Sequence, residues 1–262
     1  MLSPHASLGV AQTVFYAPVV PAAIYFFRRN ARIRPRMAWW PLIPFSLCGI
    51  VTIIAQQNTD NIGLFIAALI LLNVGVVPLI VANLGLVRII LMDNYKSNPK
   101  ADKVAKALRL TFVAAIALLA AGGGISSVSA STSRTLTLVG YIVFAVELAA
   151  LLAMEVYFFN KRWNLLPSSR KILAGTLAAF PFLALRTVYG LLEVAMQTHV
   201  DNIWSPLAGN VFAFAFMALV PEYIALAMWM YVGYTTPPRR EESGLGTGGS
   251  AGVKAQSRTG EV

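Results

Sequence analysis

Residues 180–196 read FPFLALRTVYGLLEVAM, an apolar run that contains two charged residues, Arg186 and Glu193. The run is longer and more apolar than the buried stripe of a helix on a water-soluble protein. A charged side chain near the centre of a bilayer costs roughly 2.5–3.5 kcal/mol on the insertion scale. The stretch therefore predicts a membrane-spanning helix whose charged residues face other helices.

The composition of the whole chain agrees with a lipid environment. Of 262 residues, 57% are hydrophobic and 12% are charged, whereas soluble domains carry about 25% charged residues. This indicates an all-α, polytopic membrane protein. The single cysteine, Cys48, excludes an internal disulfide and a cysteine-rich metal cage, and His5 and His199 are too few for a His-rich di-iron site. We expect no metal and no cofactor.

Seven windows are long and apolar enough to cross a bilayer, which takes about 20 residues. They predict one seven-helix bundle over residues 1–234. The spans are 7–27, 38–56, 62–88, 110–129, 136–159, 172–197 and 206–234. Residues 235–262 are rich in Gly and Ser and poor in apolar residues, which predicts a disordered tail.

The basic residues give the expected orientation. The chain has 21 Lys and Arg residues, and all except Arg134 and Arg186 fall in the loops and the tail on one side of the predicted bundle. By the positive-inside rule that side is cytoplasmic, so the N-terminus is expected outside and the C-terminus inside, in the plasma membrane or the endoplasmic reticulum. The first span has no basic segment before it, so we interpret it as a retained helix and not a signal peptide. Because the charges form short clusters between spans, we expect no nucleic-acid partner.

The last three predicted spans contain ionisable residues at depth, which usually face the bundle interior and find partners. Arg186 and Glu147 lie near the midpoints of their spans, and Glu222 lies roughly 3 Å closer to the cytoplasm at about 1.5 Å per residue. Glu193 is roughly 10 Å from Arg186 along the same helix. Depth therefore favours Glu147 or Glu222 as the partner of Arg186. Glu155 lies near the cytoplasmic boundary, where water, Lys161 or Arg162 would be within reach.

We interpret Arg186 as an interhelical charge hub, with Tyr189 placed to bridge Arg186 and Glu193 along one helix face. Two interpretations of the hub remain open. It either locks the bundle, or it leaves one carboxylate, Glu222 or Glu193, facing a ligand. Amides and hydroxyls in the other spans are expected to form interhelical hydrogen bonds; they are Gln12, Thr13, Tyr16, Asn73 and Asn83. A stripe of small residues at Ala114, Ala117, Ala121 and Gly124 predicts close helix contact, with packing of the fourth span inside the bundle favoured over a dimer interface.

Three stretches resemble a family pattern. The first is WWPLIPFSLCGIV (39–51), which leads into LILLNVGVVPLIVANLGLVRI (69–89), and the others are FPFLALRTVYGLL (180–192) and FMALVPEYIALAMWMYVGY (216–234). The chain resembles an uncharacterised fungal family of seven-helix integral membrane proteins, distantly similar to the fungal lipid-translocating exporters. The resemblance implies that Arg186, Tyr189 and Glu222 are family-type positions. It also implies a fungal origin and a frequent link to secondary-metabolite gene clusters. Cys48 stands where the pattern has an arginine.

Two functions are compatible with these features. The first is a non-catalytic protein that binds or translocates an apolar small molecule or a lipid, with the lipid bilayer as its surroundings. The alternative is an enzyme similar in architecture to the fungal seven-helix terpene cyclases, in which Glu222 or Glu147 donates a proton from a dry pocket. The sequence has no nucleotide-binding P-loop, so direct use of ATP is not expected.

Overall fold

The computed structural model describes residues 4–29, 38–43, 46, 76–95, 99–125, 129–196, 203–204 and 209–236. Helices account for most of these residues, and no strand occurs among them. The long helices are α1 (Pro4–Arg29), α2 (Val76–Asn94), α3 (Pro99–Ile125), α4 (Ala130–Asn160), α5 (Pro167–Ala195) and α6 (Val211–Thr235). A 3₁₀ turn, Arg162–Asn164, joins α4 to α5, and a π-helical turn, Ala215–Leu219, lies within α6.

Five of these helices are long and apolar enough to cross a membrane: α2, the Lys106–Ile125 part of α3, α4, α5 and α6. The chain is therefore an all-helical protein with five candidate membrane-spanning helices. Helix α1 covers the first predicted span and is not one of the five. Most of the second predicted span, the start of the third and the tail from residue 237 lie outside the described residues, as do Cys48 and Asn73.

Three helices begin at positions that differ from the starts of the predicted spans, because charged residues or N-capping side chains determine where those helices begin. Helix α3 begins at Pro99, ahead of position 110, because its Lys-rich and Ala-rich first turns are good helix formers outside the apolar window. Helix α4 begins at Ala130, where the Ser129 hydroxyl accepts a hydrogen bond from the Thr132 amide at 3.4 Å. Helix α6 begins at Val211 after Asn210, whose side chain accepts from the Phe212 amide at 2.9 Å.

Helix α5 lies at the centre of the described bundle, in contact with α2, α4 and α6, while α3 packs mainly along α4. Within an 18-residue apolar window, the share of buried residues is 72% in α2 but 22% in the Lys106–Ile125 segment of α3. Helix α2 is thus an interior element, and α3 presents most of its surface outward. Side chains that meet on α5 are the ones that the fold can bring together from several helices.

The small-residue stripe on α3 does not face the bundle, so the packing predicted for it is wrong. Ala114, Ala117 and Ala121 are exposed, and a Cβ on Gly124 would meet nothing within 4 Å. The buried face of α3 instead carries Phe112, Ala115, Leu119 and Gly122. Residues adjacent in sequence point about 100° apart around a helix. The stripe is shifted by one or two positions from the buried residues of α3, so it lies on the outer face of the helix and not on the contact face.

The ends of the helices form two polar layers. At one end Asn94 accepts a hydrogen bond from the Leu166 amide at 3.0 Å and donates to the Ser169 hydroxyl at 2.9 Å, which joins α2 to the start of α5. Arg29 donates to the Tyr234 carbonyl at 3.1 Å, which satisfies the last turn of α6. At the opposite end Arg134 donates to the Val194 and Ala195 carbonyls of α5. Among the described residues, Arg29, Arg162 and Arg170 therefore lie at the same end of the bundle.

Candidate functional site

Arg186 forms a buried ion pair with Glu222 across α5 and α6. The guanidinium Nε donates to Glu222 Oε1, and the two residues are 3% and 5% exposed. Of the two acids that depth predicts as partners, Glu222 is in contact with Arg186, while Glu147 is not part of the ion pair. A charge at this depth is tolerated only with an opposite charge and donors around it.

Two tyrosines from other helices complete this site. The Tyr16 hydroxyl of α1 donates to Glu222 Oε2 at 2.9 Å, so both carboxylate oxygens accept hydrogen bonds from the protein. Tyr141 of α4 is fully buried and lies within hydrogen-bonding reach of the Arg186 guanidinium. Arg186, Glu222, Tyr16 and Tyr141, here called the Arg186 cluster, therefore bring together α1, α4, α5 and α6.

Gly190 makes room for Tyr141 on α5. A Cβ at this position would lie 2.4 Å from Cε1 and 2.9 Å from the hydroxyl oxygen of Tyr141. Gly190 is one helical turn after Arg186 on the same side of α5. The absence of a side chain at 190 thus lets the Tyr141 ring approach the backbone of α5 closely beside the guanidinium.

Tyr189 has a different partner from the one predicted. Its hydroxyl donates to the Trp204 carbonyl at 2.8 Å, and its ring is 5.8 Å from the Arg186 guanidinium carbon. It therefore does not bridge Arg186 to Glu193; it joins α5 to the segment before α6. Phe214 and Ala218 pack on the same ring. Glu193 is half-buried, within electrostatic range of Arg186, and not in its ion pair.

The backbone of α6 places Glu222 through a local irregularity. Pro221 has no amide hydrogen and its ring conflicts with the carbonyl four residues earlier, Met217. The helix accommodates this with the π-helical turn Ala215–Leu219, in which the Val220 amide donates to the Ala215 carbonyl five residues back. Glu222 follows Pro221 directly, so the irregular turn sets the direction of its carboxylate.

A second buried polar cluster lies between α2, α4 and α5. Asn83 Nδ2 donates to Glu155 Oε1 at 3.0 Å, and Thr176 lies within hydrogen-bonding reach of the same carboxyl group. All three residues are 0% exposed. We call Glu155, Asn83 and Thr176 the Glu155 cluster. The interhelical hydrogen bond expected for Asn83 is confirmed.

The contacts predicted for Glu155 are wrong, because it is buried beside Asn83 and reaches neither water nor Lys161 nor Arg162. Lys161 donates to the Tyr157 hydroxyl at 2.7 Å, and Arg162 lies over the Phe159 ring. The sequence carries a signal for the burial of Glu155, since it sits in a row of buried residues spaced three and four apart. That row is Tyr141, Phe144, Leu148, Leu151, Glu155 and Phe158.

Glu147 lies outside this row. It is 5% exposed, and one of its carboxylate oxygens has no hydrogen-bond partner within the described part of the chain. Six residues separate it from Tyr141, which is about one and two-thirds helical turns, so the two side chains point in different directions. Thr111 of α3 lies near its carboxyl group. Glu147 thus faces α3, away from Arg186.

Two apolar grooves run along α6, one on each side. The α1–α6 groove has a volume of about 590 Å³, and its lining includes Val14, Phe15, Pro18, Ala22, Tyr223 and Met230. The α5–α6 groove has a volume of about 710 Å³; its lining includes Ala174, Ala178, Ala227 and Met228, with Lys171 at the end of α5 that carries the basic turns. Both have the apolar character that suits a lipid or a hydrophobic molecule.

The α1–α6 groove touches the Arg186 cluster through neighbours in sequence. Phe15 and Tyr223 stack with ring centroids 3.7 Å apart, next to Tyr16 and Glu222 respectively. The Tyr223 hydroxyl is buried and has no hydrogen-bond partner among the residues that the structure describes. The groove therefore has apolar walls, and an unbonded hydroxyl is buried behind one of them. In the same described ranges, no group of three or more His, Cys, Asp or Glu side chains is arranged to hold a metal ion.

The fold and these clusters define the class of the protein: an all-helical membrane protein with buried ionisable groups shared between helices. Within that class, the chain belongs to the family of a domain of unknown function, DUF7702, whose model matches residues 2–239. No curated protein and no solved structure matches the chain.

Proposed function

We propose that this protein binds or translocates an apolar small molecule or a lipid, and that the ligand occupies the α1–α6 groove. The observation that carries the proposal is the apolar groove itself, whose wall includes Tyr223, a residue with a buried and unbonded hydroxyl. A buried donor without an acceptor is unfavourable. A hydrophobic ligand would cover the apolar walls, and a ligand with one oxygen acceptor would satisfy the donor once the Tyr223 side chain turns toward the groove.

The Arg186 cluster supports this role as the fixed wall behind the groove. Glu222 and Tyr16 neighbour the two stacked rings, Tyr223 and Phe15, and their hydrogen bonds hold α1 and α6 at a set spacing. The groove opens toward lipid, since Val14 at its rim is 69% exposed. A ligand would therefore enter sideways from the bilayer and not from water.

The remaining parts of the proposal concern topology and setting. We place seven helices in the membrane, with the N-terminus outside and the C-terminus in the cytoplasm, because the basic turns share one end of the bundle. We place the protein in the plasma membrane or in the membrane of the endoplasmic reticulum. The resemblance to the fungal seven-helix family adds a possible accessory role in secondary-metabolite biosynthesis.

The test uses the full chain in lipid nanodiscs and a photoreactive, clickable farnesol as the probe. We expect labelling of peptides from α1 and α6, and loss of most of it in Ala22→Leu, which fills the groove. Tyr223→Phe removes only the hydroxyl and should weaken binding about tenfold, which corresponds to about 1.4 kcal/mol. The matched controls are Ala17→Leu and Tyr25→Phe, whose residues are exposed on α1. Equal labelling of Ala22→Leu and Ala17→Leu would exclude the groove as the site.

The second candidate function is a membrane-embedded cyclase that uses a carboxylic acid as proton donor. Glu147 favours it, being a buried acid outside the ion pair of Arg186. Glu222 does not, because both of its oxygens accept hydrogen bonds from Arg186 and Tyr16. Membranes that contain the protein would be incubated with prenylated epoxides. The enzyme hypothesis requires a cyclised product with the wild type and none with Glu147→Gln.

A further inference from the structure

The Glu155 cluster presents two buried oxygen atoms that lack a donor. Asn83 Nδ2 donates to Glu155 Oε1, but Glu155 Oε2 and Asn83 Oδ1 have no hydrogen-bond partner among the described residues. Both residues are 0% exposed, so bulk water does not replace the missing donor. Two acceptors left without donors in an apolar interior are unfavourable, and a negative charge there is more so.

A single proton on Glu155 resolves this mismatch. In the neutral acid, Oε1 is the carbonyl oxygen that accepts from the Asn83 amide, and the Oε2 hydroxyl is a donor for Asn83 Oδ1. A carboxylic acid and a primary amide are complementary in this way, each giving one donor and one acceptor. The Thr176 hydroxyl donates to the Leu173 carbonyl at 3.1 Å, which leaves its lone pairs as a second acceptor for the same proton.

We propose that Glu155 and Asn83 form a proton-binding site, in which Glu155 is a neutral carboxylic acid paired with the Asn83 amide. The bound species is a proton taken from water; its release leaves a carboxylate between α2, α4 and α5 with no cation beside it. Loss of the proton therefore separates these three helices or draws water between them. The site is distinct from the α1–α6 groove and does not depend on the ligand proposed for that groove.

The charged groups of the neighbouring helices do not replace the proton. The Glu155 carboxyl group is buried and contacts Asn83 and Thr176. No positively charged side chain among the described residues interacts with it. The one ion pair described at depth joins Arg186 to Glu222. Among the side chains that the structure describes, the other charged ones on the helices around α4 are Arg88 and Asp93 on α2, Lys103, Lys106 and Arg109 on α3, and Arg170, Lys171 and Glu193 on α5.

The proton on Glu155 can be detected directly by infrared difference spectroscopy. The full chain in nanodiscs would be measured in H₂O and in D₂O at neutral pH. We expect a protonated-carboxyl C=O band that shifts in D₂O. Glu155→Gln should remove that band and Glu147→Gln, two turns earlier in the same helix, should leave it in place. Asn83→Leu should move the band to higher frequency, because the C=O group loses its donor. If Glu155→Gln does not fold, the shift in Asn83→Leu decides the question.

A pH series gives an independent measurement. The thermal unfolding temperature of the wild type should fall as rising pH removes the proton, whereas that of Glu155→Gln should lose this dependence, since Gln keeps an N–H donor toward Asn83. Identical C=O spectra for the wild type and Glu155→Gln would overturn the proposal. So would removal of the band by Na⁺ at constant ionic strength, which would identify a sodium site.

Discussion

The two buried polar clusters each hold an acidic side chain in an apolar interior, and they do so in opposite ways. The Arg186 cluster contains a formal positive and a formal negative charge, and its hydrogen bonds run between charged groups and tyrosines. The Glu155 cluster contains one acid, one amide and one hydroxyl, and no base. The first achieves neutrality by pairing ions and the second by leaving the acid uncharged, so the two should respond differently to the same substitution.

The largest expected effect is the difference between Glu222→Gln and Glu155→Gln, which replace each acid by its neutral isostere. Glu222→Gln leaves Arg186 buried without a counter-ion and should lower the free energy of unfolding by about 3–5 kcal/mol. Glu155→Gln should change it by less than about 1 kcal/mol at neutral pH. Unfolding in mixed micelles, followed by tryptophan fluorescence, measures both. Equal losses would remove the distinction between the clusters.

A double variant sharpens the same comparison. Arg186→Met combined with Glu222→Met removes both charges together, and replacement of a buried ion pair by apolar residues is often neutral or stabilising. It should therefore be more stable than either single variant by at least about 2 kcal/mol. A double variant as unstable as Arg186→Met alone would show that the pair is not the main source of the loss.

Gly190→Ala tests how closely α4 and α5 approach at the Arg186 cluster. The new methyl group would overlap the Tyr141 ring, and such overpacking should cost about 2 kcal/mol. The control is Gly124→Ala on α3, where nothing lies within 4 Å; there the better helix propensity of Ala should leave stability unchanged or raise it. A neutral Gly190→Ala would mean that Tyr141 is free to move away from Arg186.

Tyr16→Phe removes one donor to Glu222 Oε2 and keeps the ring. The expected loss is about 1–2 kcal/mol, within the range for hydrogen bonds to charged groups and for polar contacts between membrane helices. Tyr25→Phe, on the exposed side of the same helix, serves as the control and should have no effect. If the two variants are equally stable, α1 is not anchored through Glu222.

Thr176→Val should give the smallest effect, below about 1 kcal/mol, because Asn83 still donates to Glu155. Thr187→Val on the same helix is the matched control, since both hydroxyls donate to a carbonyl one turn earlier. The difference between their unfolding temperatures isolates the contact with Glu155. If Thr176→Val loses more stability than Glu155→Gln, the Thr176 hydroxyl and not the Glu155 carboxyl group is the main stabilising group of the cluster.

The sequence predicts the depth of a side chain in the membrane better than it predicts the direction in which that side chain points around its helix. Counting residues through the spans fixes position along the bilayer normal and leaves Glu147 and Glu222 as candidate partners of Arg186, of which the structure selects Glu222. Tyr141 and Gly190 are not found in this way, because their roles depend on how α4 is rotated against α5. The same limit explains the stripe on α3, which was assigned to the wrong face.

The burial of Glu155 was within reach of the sequence. Its place in the three-and-four spacing of α4 marks it as a bundle-facing residue, and that spacing outweighs its nearness to the helix end. The pairing with Asn83 was not within reach, since α2 and α4 lie 72 residues apart at this contact and nothing local specifies their register.

The π-helical turn in α6 also has an evolutionary meaning. Such a turn is equivalent to one inserted residue in a regular helix, so a homologue that lacks one position between Phe214 and Pro221 would carry a straight segment. Because the π-helical turn holds one more residue than an α-helical turn, the residues on both sides of that point would keep their faces. Single-residue gaps here should therefore occur in family members that still carry the acid opposite Arg186.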